Sequence, residues 1–382
     1  MRLSRDRAAR RRLGALAAAA ALALVAGVVV GAGSEEDESP APEARERPAA
    51  ASADERLPLR RQVGQLLVSS FDGTSVPAYI ARRLRAGETA GVILFGKNAA
   101  DPAAWRALTG SLQRAAGGSA LVAVDQEGGE IRSLPFAGPE PGQPEQGEPE
   151  QVRALARDAG RELRRVGVNV DLAPVADVSA DAAALAGRTF PGTPAEVAER
   201  TRASVAGFRA GGVAATAKHF PGLGAAAVNT DDGPVTIDAS RDVLDARELV
   251  PFEAAVDAHV PLVMLSHALY PALDARRIAS QSPAVATGLL RERIGFHGVT
   301  VTDSMEAAAV LARSGVAAAA ERSVRAGADL ILMTGSASWN EVFPRLLRRA
   351  RSSPAFRARV RESAARVLAL KSVLGLRPPR AP

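Results

Sequence analysis

The residues able to do chemistry crowd into a few short segments. The densest is AKHFPGLGAAAVNTDDGPV, residues 217–235, which holds Lys218 and His219, a glycine-rich turn, and the adjacent acids Asp231 and Asp232. Only three lysines and four histidines occur in the 382 residues, against 45 arginines, so two scarce types side by side carry information. They suit either a salt-bridged rim or a cationic cradle for a polar ligand. Asp303, in GVTVTDSMEA, follows a short apolar run. It could cap the next helix, or act as a carboxylate nucleophile on the anomeric carbon of a sugar. Asp125, in VAVDQEGG, precedes two glycines that permit a tight turn or a close ligand approach. Its carboxylate suits a polar turn or hydrogen bonds from sugar hydroxyls. Arg188, in AGRTFPG, says nothing by itself among so many arginines. A metal centre has weak support, because the histidines show no HxH or HxxxH spacing.

These residues need elements to bring them together. Eight short apolar runs recur: 64–71, 91–96, 120–129, 168–178, 213–222, 261–270, 298–305 and 328–335. Helical patterns lie between them, several ending in glycine as helix C-termini prefer. Strands apolar nearly throughout are buried on both faces, which implies a parallel sheet covered by helices. Eight such units predict an α/β fold, a single (β/α)8 TIM-type barrel, with a doubly wound open sheet as the competitor. The polar residues fall at the C-terminal ends of the runs: Asp125, Gln126 and Glu127, then Asp177, Lys218 with His219, His267 and Asp303. In a barrel those ends share one face, where active sites form.

Composition narrows the rest. There are no cysteines, which excludes disulfides, thiolate catalysis and cysteine zinc sites. The net charge of +6 is concentrated in residues 1–12, and no basic stripe with interleaved aromatics points to nucleic acid. That basic segment precedes LGALAAAAALALVAGVVVGAG, an uncharged apolar run over 13–33. At 1.5 Å per residue it is long enough to cross the roughly 30 Å hydrocarbon layer. Residues 1–33 are expected to be an apolar helix acting as a signal peptide or membrane anchor, with everything after it extracytoplasmic, secreted or tethered to the outer face of the membrane. Membrane contact is expected only through this segment, and only if it stays uncleaved. Residues 34–58, rich in Pro, Ala and acids, read as a solvated linker. The barrel then occupies 59–376, with 377–382 as a tail.

Taken together the motifs resemble glycoside hydrolase family 3, in its single-domain β-N-acetylglucosaminidase branch, which acts on peptidoglycan fragments. They are VAVDQEGGEIRSL (122–134), NVDLAPVADV (169–178), GRTFPGTP (187–194), AKHFPGLG (217–224), LSHALYPALD (265–274) and GVTVTDSMEA (298–307). The resemblance implies a (β/α)8 barrel, retaining chemistry, a carbohydrate substrate, and no metal or organic cofactor. By resemblance Asp303 matches the family's nucleophile, and Asp125, Arg188, Lys218 and His219 match residues that hold the sugar.

One stretch departs from the family. The branch reads KHFPGHG, followed by an Asp-Ser-His that supplies the acid/base; this chain has Leu223 in place of the first of those histidines and Asn229–Thr230–Asp231 in place of the triplet. Three readings stay open. Asp231 is the acid, with Asp232 as the lesser choice; another loop supplies it; or hydrolysis is lost and the barrel is a surface sugar-binding protein. Asp231 is preferred because it occupies the matching position. With little sequence after ARVRESAARVLALKSVLGL, no second domain of the kind that supplies the acid in two-domain relatives is expected, and the acid is expected from the barrel's own loops or from a partner. The Pro/Gly/Glu-rich loop 135–151 is expected on the same face, as a roof or as a solvated excursion. The absence of a GxSxG elbow argues against an α/β hydrolase.

Overall fold

The structure, a computed structural model, describes residues 57–180 and 183–378. The expected signal or anchor, and all but the last two residues of the linker, lie outside them. Each of the eight apolar runs contains a parallel strand: β1 (Leu67–Ser69), β2 (Gly91–Ile93), β3 (Leu121–Val124), β4 (Val170–Asp171), β5 (Thr216–Phe220), β6 (Leu262–Leu265), β7 (Val299–Thr302) and β8 (Ile331–Leu332).

These strands form a curled parallel arrangement in two sheets. One has the order β8-β1-β2-β3-β4 and the other β7-β6-β5. Single parallel bridges, Val170 with Ala214 and Val301 with Leu330, run between their edges. No strand exceeds five residues, because each hands over at once to a loop that carries polar groups. Alternate side chains point to opposite faces of a strand. Val68, Ile93, Leu121, Ala123, Leu262 and Met264 pack into one buried cluster, while Leu67, Val92, Val122, Val263 and Leu265 pack into another with the helices. Both faces are buried, which is why the runs show no polar alternation. The C-terminal helix Pro354–Val373 sends Val367 and Leu370 into the inner cluster.

The helices end as their sequences predict. Gly87, Gly117 and Gly212 each follow a helix with a left-handed backbone. Thr193 and Glu196 form a reciprocal capping box at the start of Pro194–Gly211. Asp303 does not cap a helix: the next one, Ala308–Leu311, begins at an Ala307 cap. The loop 135–151 is folded, and none of its residues lines the polar cavity described below. It packs behind the lining, with the Gln146 side chain donating to the carbonyl of Glu127 and the Gln143 side chain bonded to both the amide and the carbonyl of Val175.

Candidate active site

The C-terminal ends of the strands open into a cavity of about 600 Å³. Asp125, Arg188, Lys218, His219, Asp231 and Asp303 all line it; Lys218 and His219 come from strand β5 and the other four from four different loops. Asp232, one residue from Asp231, does not.

The floor is a charge network centred on Glu127. Its buried carboxylate accepts from Arg188 Nε at 2.9 Å and Nη2 at 2.7 Å, and lies 2.7 Å from Lys218 Nζ. Lys218 Nζ also donates to Asp125 Oδ1 at 2.7 Å. Burial alone would raise the Glu127 carboxyl, but the Lys218 charge and the Arg188 hydrogen bonds outweigh it and hold the pKa at about 2. Lys218 responds in reverse: burial opposes its charge, and Asp125 and Glu127 more than restore it. Asp171, fully buried nearby, accepts from the Gln126 amide at 3.0 Å, and burial pushes its carboxyl well above the ordinary value. The glycines after Glu127 are required here. Gly128 has φ +108°, and a Cβ on it would meet the Pro141 carbonyl oxygen at 2.3 Å.

A second network orients His219. Asp177 is buried and accepts from the backbone amides of His219 and Leu223, at 3.1 and 2.7 Å. Its Oδ2 lies 2.7 Å from His219 Nδ1; a carboxylate can only accept, so the proton sits on Nδ1. That leaves Nε2 facing Asp303 Oδ2 at 3.9 Å. His267, also buried, sits 2.7 Å from the Ser280 hydroxyl and 2.9 Å from the Ser304 carbonyl, and so fixes the residue after Asp303. The Asp303 carboxylate accepts from the Ser304 amide at 2.7 Å. Burial would raise Asp303, but the two histidines, this amide and Lys218 reverse it and lower its pKa.

Asp231 stands on the loop between β5 and β6. The loop is held on both flanks. Ala180 and Ala184 donate to the carbonyls of Gly224 and Ala226, both at 2.9 Å; Ala309 and Ala308 donate to Thr230 and Asp231, at 3.0 and 3.2 Å. Its root is equally confined: Gly222 has φ +122°, and a Cβ there would meet Glu248 Oε2 at 2.5 Å. The Asp231 amide bonds to Asn229 Oδ1 at 3.2 Å, a local Asx turn. The turn and the cavity-lining position coexist. The side chain is exposed at the open side, yet the atoms crowding its carboxyl, and then the Asp303 charge, push its pKa up.

Sequence reasoning singled out six residues and the structure gathers all six. It noted Glu127 and Asp177 only as polar strand ends, and both organise the site. The missed signal was local: Glu127 is two residues past Asp125 on the same extended segment and faces the same way. Glu130, Arg132 and Glu306, which also line the cavity, carried no sequence signal.

Residues 58–370 match the glycosyl hydrolase family 3 N-terminal domain. A beta-hexosaminidase of Xanthomonas campestris pv. campestris is 33% identical over 279 residues, covering 70% of this chain and 84% of that protein. A beta-N-acetylhexosaminidase structure from Beutenbergia cavernae superposes with a TM-score of 0.77 at 34% identity, over 83% of this chain and 99% of that one. A glycoside hydrolase family 3 beta-N-acetylglucosaminidase from Paenibacillus sp. gives 0.79 at 34% identity over 84% of this chain, which spans 63% of that longer protein. With the family's domain matched across the folded body and its strand-end residues around one cavity, the chain belongs to glycoside hydrolase family 3.

Proposed function

We propose that this glycosidase is a retaining β-N-acetylhexosaminidase that removes terminal β-linked N-acetylhexosamine, chiefly N-acetylglucosamine, from saccharides. The observation that carries the reading is the opposed tuning of two carboxyls in one cavity: Asp303 is lowered and Asp231 is raised. A retaining glycosidase needs this split, one carboxylate ionised to attack and one carboxylic acid protonated to donate.

Asp303 attacks the anomeric carbon as the bond to the leaving sugar breaks, and Asp231 delivers its proton to the departing oxygen. Asp231, now ionised, takes a proton from water, whose oxygen attacks the anomeric carbon and releases Asp303. Asp125, Lys218, Arg188 and His219 hold the ring, with Glu127 and Asp177 setting their positions. We read the two sheets as one closed eight-stranded barrel joined at the two bridges, with residues 59–376 as its domain. The basic and apolar N-terminus supports export, with the body outside the cytoplasm; cell fractionation checks this.

The test is release of 4-nitrophenol from its β-N-acetylglucosaminide by the purified protein, with the anomer of the first product read by NMR. β-Product in wild type, and none from Asp303→Ala, is the expected result. No release, or α-product, overturns the reading.

A further inference from the structure

The charges on the cavity floor cancel, two against two: Asp125 and Glu127 face Lys218 and Arg188. The rest of the lining does not. Asp303 faces His219, and Asp231, Glu130 and Glu306 remain against the single guanidinium of Arg132. Glu306 accepts from the Thr334 amide at 2.8 Å and from the Ser304 and Thr334 hydroxyls at 3.3 and 3.2 Å, so neutral donors hold it and no cation balances it. Glu130 lies at the turn of the hairpin formed by Gln126–Gly128 and Ile131–Arg132, is exposed, and makes no ion pair among the described residues. Arg132 is committed to its own turn, donating to the carbonyls of Gly129 at 3.1 Å and Pro135 at 3.3 Å. Even with Asp231 protonated for catalysis, two carboxylates, Glu130 and Glu306, outnumber one cation. The acidic linker offsets the basic residues 1–12, so residues 59–382 themselves are net positive, and this negative pocket is a local reversal and not a property of the whole surface.

Glu130 and Asp231 are the exposed charged members of the lining, and Asp231, as the proposed acid, marks where the leaving group must lie. We infer that the site selects against a leaving sugar that carries a carboxylate, and takes a neutral or cationic amino sugar there instead; this rests on the glycosidase reading above. A muramic-type residue, whose lactyl ether ends in a carboxylate, is thereby disfavoured, and a second N-acetylglucosamine or a free glucosamine is favoured.

The experiment compares kcat/KM for N-acetylglucosamine β-linked to N-acetylglucosamine, to glucosamine, to N-acetylmuramic acid, and to the methyl ester of that acid. Measurements are made at low and at high salt, with the 4-nitrophenyl glycoside as control. At low salt the acidic disaccharide is expected to be roughly tenfold worse than the neutral one. The gap should close with salt and with esterification, and Glu130→Gln should narrow it about threefold. An acidic substrate as good as the neutral one overturns the inference, because Arg132 then captures the carboxylate. A poor methyl ester also overturns it, since bulk and not charge would be the cause. If the chromogenic control itself is not cleaved, the glycosidase reading has failed; if it is cleaved and the charge preference is absent, only this inference has.

Discussion

Two openings lie at opposite ends of the same parallel strands, and the larger is not the one with the chemistry. At the N-terminal ends is a groove of about 810 Å³, with Val213, Val260, Phe296, Val299 and Leu370 among its lining residues and no carboxylate. At the C-terminal ends is the smaller cavity of about 600 Å³, lined by six acids, three cations and His219. Both are built by the same backbone. The difference is where the strand-end charges fall: Asp125, Glu127, Lys218, His219 and Asp303 face the second opening, whereas Asp329, at the N-terminal end of β8, is matched by Arg291, Arg359 and Arg366. Cavity size therefore does not locate a site; uncompensated and mutually tuned charge does. The first end should govern stability and the second activity.

The sharpest break between the two ends is Asp303→Ala. It should lower kcat/KM by about 10⁴-fold or more with little change in melting temperature. Asp231→Asn comes next, at roughly 10²–10⁴-fold for poor leaving groups and much less for 4-nitrophenol. Its pH profile is the finer readout. Wild type needs Asp303 ionised and Asp231 protonated, so kcat/KM should rise through a value below the ordinary Asp range and fall through one above it. Asp231→Asn should erase the falling limb, and a surviving limb assigns the acid to another group.

Glu127→Gln tests whether the floor belongs to both categories. It leaves Lys218 and Arg188 buried without their shared partner, at a cost of about 3 kcal/mol, or a drop of roughly 5–10 °C in melting temperature. Because the Glu127 pKa is depressed in the fold, its contribution is complete above the ordinary glutamate value of 4.5 and is lost as pH falls toward about 2. The variant's stability should accordingly vary less than wild type across that window. At the other end, Leu370→Ala removes a side chain that is 6% exposed and packed in the inner cluster. It should cost about 2–4 kcal/mol while kcat/KM stays within about twofold. A large loss of kcat/KM in the folded Leu370→Ala protein would erase the distinction between the ends.

Much of the site was legible because its residues are rare here and adjacent in sequence. Lys218 and His219 stood out against 45 arginines, and Asp303 followed an apolar run. The choice of Asp231 over Asp232 came from position alone; of the two, only Asp231 lines the cavity. Arg188 was illegible by composition; it became meaningful when its guanidinium met Glu127, 61 residues away in the chain. The loop 135–151 was misjudged as roof or solvated excursion because Pro, Gly and Glu favour both, whereas its glutamines hold it against the backbone of neighbouring segments.

By itself the sequence determined the strands and the polar clusters that follow several of them. Apolar character at every position of a short run is possible only where both faces are buried, and that fact is local. The tertiary structure alone decided protonation: which carboxylate is matched by cations, which is pushed up, and which are left unbalanced. Those outcomes depend on distances between loops far apart in the chain, and Coulomb energies and desolvation follow distance and burial, not order along the sequence.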